Sequence, residues 1–174
     1  MEFWDLYTEH RKPIGKIHLR GDELPDGCYH LVVHVWIKNS RDEYLICQRS
    51  ENRPTFPLMW ECVGGSVLAG ETSLEGAVRE VKEEVGLDFS TCNGTLVFTQ
   101  VRPAKDMLSD NSIMDAWLFH YDGEVALSNA TTNEVSQTRW IPVSQILKLH
   151  QQGKLVNTLS YFFDKIAPYK GITL

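Results

Sequence analysis

Apolar and polar residues alternate along this chain in a way that divides it into short strands and a few helices. Residues 3–7 and 14–19 read as two strands around a turn at 9–12. Residues 21–27, GDELPDG, read as loop. Residues 30–38, HLVVHVWIK, are rich in β-branched side chains, which suit a pleated surface, and predict a strand. A turn at 39–42 leads to 43–49, EYLICQR, which is expected to pair back as a hairpin. A proline-containing loop at 50–57 precedes a short predicted strand at 59–63, and Gly64-Gly65 then breaks the pattern. From 72 to 85 the period becomes helical: Leu74, Val78, Val81 and Val85 fall on one helix face. Thr72 and Glu75 fit a capping box, and Gly86 stands where a helix-ending glycine belongs. Three more strands are expected at 94–102, 112–121 and 137–141. A helix at 143–151 follows Pro142 and stops at Gly153, and a last helix is expected over 155–167. Strands and helices without a regular strand–helix–strand repeat predict an α/β (α+β) fold, a mixed β-sheet with helices on its faces.

Composition narrows the partners. The chain has 174 residues, 43% of them hydrophobic and 23% charged, in the range of an ordinary globular domain. Its net charge of −6 is the opposite of the basic face that grips a nucleic acid polymer, so none is expected. A small phosphorylated substrate is compatible with that charge, because bound divalent cations reverse the local field. Cys28, Cys47, Cys62 and Cys92 lack the spacing of a zinc knuckle or a redox pair and read as buried free thiols. The first residues carry early acids and no apolar signal core, and no apolar run approaches 18 residues. A cytoplasmic protein with no membrane span is therefore expected.

The candidate chemistry lies on the first helix. At 100° per residue, Glu80, Glu83 and Glu84 fall within about 100° of one another, and the apolar stripe is centred roughly 130° away. Like charges at i,i+3 and i,i+4 cost roughly 0.2–0.5 kcal/mol per pair on an isolated helix. Such a cluster is most simply a solvated acidic face. It is also an all-oxygen donor set suited to a hard cation such as Mg²⁺ or Mn²⁺.

The surroundings separate the two readings. Residues 65–87 are GSVLAGETSLEGAVREVKEEVGL. Gly65, Glu71, Arg79, Glu80, Glu83, Glu84 and Gly86, with aliphatic residues at 81 and 87, match every defined position of the Nudix box. Chance would give such a match on the order of once in ten million chains of this length. The chain therefore resembles the Nudix superfamily of MutT-like hydrolases. The preceding Trp60-Glu61 and Gly64-Gly65 and the strand order extend the resemblance over about residues 30–150.

The resemblance implies an α/β/α sandwich and a single Nudix domain over 1–174, with 1–29 as an N-terminal strand extension and 65–87 as the box. It implies a magnesium-dependent hydrolase that cleaves a diphosphate linkage in a nucleoside diphosphate derivative, with one to three metal ions. Carried over by position, Glu80, Glu83 and Glu84 are the metal ligands, with the carbonyl of Gly64 as a further one. Arg79 and Glu71 resemble the pair that orients the helix and its ligands. The proton acceptor is open among Glu80, Glu83 and Glu134. Glu134 precedes a strand ending in Trp140, as a downstream Nudix glutamate often does, and reads equally as a loop acid.

Other residues have two readings each. Arg49 and Arg53 are candidates for substrate-phosphate contact or simple surface arginines. Trp60 and Trp117 read as core more readily than as base-stacking groups. His30 and His34 read as structural, and Phe162 and Phe163 as packing residues. DLYTEH, Gly15, HLVVHVWI and CQRS resemble the Nudix branch that contains isopentenyl-diphosphate isomerase. That makes an isomerase one rival. The intact box, and Gly64-Gly65 where that enzyme's Cys-x-His would stand, count against it. A nucleotide-sensing domain without turnover is the other rival, and all box carboxylates are present. Nucleoside di- or triphosphates are the first substrate expectation, then ADP-ribose or a sugar nucleotide. The N-terminal strands are placed to extend a sheet or to pair across a homodimer.

Overall fold

The computed structural model describes residues 1–89, 94–104 and 110–170. Its centre is strand β3 (His30–Lys38), whose alternation sends Leu31, Val33, Val35 and Ile37 to one face and Trp36 to the other. On one side β3 pairs in parallel with β8 (Ser112–His120), and β8 pairs antiparallel with β7 (Thr95–Arg102). On its other side β3 meets β4 (Glu43–Arg49) only at the hairpin end, Lys38 opposite Tyr44. The two strands then splay apart. β4 pairs along its length with β9 (Val135–Pro142), while β5 (Trp60–Glu61) lies on β4 and β6 (Val63–Ser66) lies on β3. The sheet is mixed and forked, and residues 60–66 run across the fork.

That fork corrects the expectation of one strand at 59–63 ended by glycines. Two strands form instead, and Gly64-Gly65 continue the second. Their lack of a side chain serves close approach rather than a turn. A Cβ on Gly65 would overlap the Glu80 carboxylate, and one on Gly64 would press on the Val33 carbonyl and stand 3.3 Å from the His34 ring.

Helix α1 (Ser73–Val85) covers one face. Its capping box forms: the Thr72 hydroxyl accepts from the Glu75 N–H, and the Glu75 carboxylate accepts from the Thr72 N–H at 2.7 Å. Gly86 ends it in the left-handed region at φ 72°. Ala77, Val81 and Val85 are fully buried against β3, and each buried valine stabilises by roughly 1.5–3 kcal/mol. The other face is covered by α2 (Val143–Gln151) and the segment after it, around Trp36, Ile146, Leu159 and Phe162. The expected α/β/α layering is thus observed.

The expected helix at 155–167 is not. A 3₁₀ turn at Asn157–Leu159 and a wide π-type turn at Phe162–Ile166 replace it. Its start is extended, because Trp60 donates to the Lys154 carbonyl at 2.8 Å and accepts from Val156 at 2.9 Å. Its remainder is shaped by aromatic packing, with Phe162 4.2 Å from Trp36 between ring centroids. Tertiary packing overrides the helical pattern there.

Strands β1 (Phe3–Tyr7) and β2 (Pro13–Leu19) form a separate two-stranded sheet. It docks through Trp4, which stacks on His30 at 3.8 Å, and through a bridge between Tyr7 and Tyr29. It also holds the box loop: the N–H of Ala69 donates to the Phe3 carbonyl at 2.8 Å, and that of Gly70 to Asp5 at 2.7 Å. From the turn, Arg11 reaches Asp115 on β8 at 2.6 and 2.5 Å; Asp115 also accepts from Ser73, the first residue of α1, and from Thr99. Cys47 and Cys62 are buried as expected, Cys28 is half-buried, and Cys92 lies outside the described residues. No helix among the described residues is long and apolar enough to cross a membrane.

Candidate active site

The acidic face of α1 lies against the glycines of β6. Glu84 is only 5% exposed, and its hydrogen bond, from the Gly64 N–H, is long at 3.4 Å. Burial pushes its carboxyl well above the usual carboxylate range, and Glu80, Glu61 and Glu134 push in the same direction. Glu80 is raised to about 7, first by burial and then by Glu83 and Glu134, against the opposing pull of Arg79. A buried carboxylate with no protein cation of its own is costly unless something positive is brought to it. This oxygen donor set fits a hard divalent cation.

Arg79 uses every N–H of its guanidinium. Nε and Nη2 donate to the two oxygens of Glu71, at 2.8 and 3.1 Å, and Nη2 also donates to the Ser66 carbonyl at 2.8 Å. Nη1 donates to Glu80 and Glu83, both at 2.9 Å. Glu71 in turn accepts from the Leu68 N–H at 2.9 Å. One planar fork thus ties the box loop, β6 and the acidic face together. Glu80 and Glu83 are turned toward Arg79, so the three carboxylates share one helix edge without closing on a common point. Among the described residues no group of three or more acidic, His or Cys side chains is arranged as a ready cage.

Glu134 stands just before β9 and close enough to shift Glu61, Glu80 and Glu84. Its carbonyl accepts from the Ser50 N–H at 2.8 Å, and its carboxylate pairs with Arg53 at 2.6 Å. The preceding loop is fixed on the end of α1, where the N–H groups of Thr131 and Thr132 donate to the Glu83 carbonyl at 2.9 and 3.1 Å.

Arg49 is not a surface arginine. It is 8% exposed, pairs with Glu61 at 2.6 Å and donates to the Thr55 carbonyl at 2.9 Å. Arg53 lies nearer the solvent, its Nε buried without a partner. Glu61 was not singled out as a site residue from the sequence. Its signal was the alternation of β5: Trp60 and Cys62 face the core, so Glu61 must face the acidic cluster. Trp60 and Phe162 are core residues, and Trp117 donates to Ser73 at 3.0 Å.

A family model described as the NUDIX domain matches residues 29–162. The chain is 35% identical over 164 residues to the Nudix hydrolase lin0387 of Listeria innocua, a match covering 94% of this chain and 91% of that protein. It is similar to the crystal structure of DR0079 from Deinococcus radiodurans, with TM-score 0.71 and 25% identity over 89% of this chain and 92% of that one. The MutT protein from Methanosarcina mazei Go1 gives TM-score 0.63 and 28% identity, covering 78% and 91% of the two chains.

Proposed function

The chain belongs to the Nudix family of hydrolases, and from that premise we propose that it cleaves the diphosphate linkage of a nucleoside diphosphate derivative with a divalent cation, Mg²⁺ or Mn²⁺, held at Glu80, Glu83 and Glu84. The observation that carries this reading is Glu84, a buried carboxylate with no cation among the described residues beside it. The Gly64 carbonyl is the further ligand in this reading. When bound, such a cation neutralises the diphosphate, polarises its oxygens and acidifies the attacking water.

The chain's own residues do the rest. Arg79 and Glu71 hold the ligand carboxylates against β6 and are positioning residues. Arg53 is placed to meet a phosphate oxygen, and Arg49 acts through Glu61. Glu134 is the proton acceptor we favour over Glu80 and Glu83, because its backbone is fixed at Ser50 and its carboxylate is not on the ligand helix. A phosphate that draws Arg53 away would free it.

An isomerase would need an accessible thiol near the box. Cys62 is 3% exposed, and burial pushes its thiol pKa well up, which favours hydrolysis. The test is Glu84→Gln assayed on a diphosphate panel, with phosphate and pyrophosphate release scored separately. Turnover should fall about a hundredfold or more, since a bound metal supplies several kcal/mol of transition-state stabilisation, while the circular dichroism spectrum stays native. Wild-type turnover in that variant would remove the metal site. Double-bond migration in a prenyl diphosphate without phosphate release would replace the hydrolase by an isomerase.

A further inference from the structure

The sheet face away from α1 carries polar groups that the diphosphate site does not use. Strand register lines them up. Gly64 on β6 is opposite His34 on β3, which is opposite Ala116 on β8, which is opposite Phe98 on β7. Four residues along the same face, His30 is opposite Ser112, and Ser112 is opposite Arg102. The Arg102 guanidinium lies within electrostatic range of the Tyr161 hydroxyl, the Cys62 thiol and the His34 imidazole. Cys62 in turn lies within range of Glu61 and Glu84, so this face adjoins the acidic cluster across β6.

Arg102 has no anion among the described residues. Its Nε is buried without a hydrogen-bond partner, and no ion pair joins it to any described residue. Burial pulls its pKa down from the usual guanidinium range; Tyr161 and Cys62 oppose this, and no carboxylate among the described residues does. Holding a guanidinium half-buried without a counter-charge costs stability, and groups perturbed in this way cluster at functional sites.

A second donor shares the face. Trp36 Nε1–H donates to the Tyr161 oxygen at 3.0 Å, and an indole N–H can only donate. The Tyr161 hydroxyl, with no other acceptor among the described residues, is placed to donate to His34 Nδ1, 2.9 Å away. With Nδ1 accepting, the ring proton resides on Nε2, which makes no hydrogen bond among the described residues. An imidazole N–H and an unpaired cation together suit an oxyanion.

We infer that Arg102, assisted by His34 Nε2–H, recognises an anionic group that the substrate carries beyond its scissile diphosphate. The inference rests on the reading of Gly64 and Glu84 as the diphosphate site. It narrows the substrate to a nucleoside diphosphate derivative with a phosphorylated or carboxylated substituent.

The experiment uses matched substrates that differ by one anionic group: NADPH with NADH, UDP-glucuronate with UDP-glucose, and a nucleoside triphosphate with its diphosphate. Wild type should favour the charged member of at least one pair. The pair that responds tells a sugar phosphate from a carboxylate or a terminal phosphate. In Arg102→Met the charged-to-uncharged ratio of kcat/KM should fall about tenfold or more, mainly through KM. The same variant should melt at a higher temperature, because it removes a half-buried charge that has no counter-ion; a merely structural arginine would leave a less stable protein. No charge preference in any pair, a ratio unchanged by Arg102→Met, or a lowered melting temperature overturns the assignment.

A metal-free arm separates this inference from the hydrolase reading. In EDTA, inorganic pyrophosphate should raise the melting temperature of wild type more than that of Arg102→Met. Equal shifts overturn the role of Arg102 even if hydrolysis is seen. Unequal shifts with no hydrolysis in Mg²⁺ or Mn²⁺ overturn the hydrolase reading and support Arg102 only as an anion-binding residue.

Discussion

Arg79 shows how much one side chain settles at this site. Its five N–H groups face Glu71, Glu80, Glu83 and the Ser66 carbonyl, so it both offsets like-charge repulsion on α1 and fixes the box loop. A lysine offers the charge without the planar fork. Arg79→Lys should therefore keep the fold and lose about 10–100-fold in kcat/KM, as loss of a ligand-orienting contact does. Unchanged kcat/KM across a Mg²⁺ titration would show that the fork is dispensable. The box residues were legible in the sequence because their spacing is local and the helical period puts them on one face. Glu61, 12 residues from its partner Arg49, and Arg102, defined by the anion it lacks, were not. Their meaning comes from neighbours that only the folded sheet supplies. The fate of Arg49 was hidden for the same reason: nothing local says that Thr55 and Glu61 close over it.

Elements were legible where their cause is local. Thr72, Glu75 and Gly86 mark both ends of α1, and the structure places both caps there. The segment 155–167 carries a helical pattern too, yet its path is set by Trp60, nearly a hundred residues earlier in the chain. Gly64-Gly65 misled in a similar way, since a glycine pair reads as a break unless the helix pressing on it is known. That pressure is testable. Gly65→Ala places a methyl group against the Glu80 carboxylate, and overpacking of this kind costs typically 1–3 kcal/mol. The variant should lose about that much in urea unfolding and most of its turnover, with α1 still helical. Wild-type stability and turnover would mean that β6 and α1 are not in close contact.

At the scale of the molecule, the N-terminal hairpin is held to the sheet partly by a neutral imidazole. His30 is buried under the Trp4 ring, its Nδ1 has no partner, and its pKa is lowered to about 4 from 6.5. Burial is the main cause; Arg102, Arg20 and His18 add to it, and a backbone hydrogen bond at Leu31 opposes it. The unfolded chain takes up this proton near pH 6.5, whereas the folded chain resists until about 4. Stability from this residue is therefore full above pH 6.5 and falls as pH drops toward 4, by roughly 3 kcal/mol at most. Unfolding free energies measured from pH 7.5 to 4 should show that slope, and His30→Gln should flatten it. Equal slopes in the two proteins would assign the acid sensitivity elsewhere. The hairpin also decides where the protein can be cut. The family match begins at residue 29, and a fragment trimmed there would retain every candidate ligand. It would lose Phe3 and Asp5 from the loop that leads to Glu71, and it would leave Asp115, 1% exposed, without the guanidinium that neutralises it at the first turn of α1. A boundary drawn from the family model alone would thus amputate the brace, and a minimal version for crystallisation or fusion should begin ahead of residue 3.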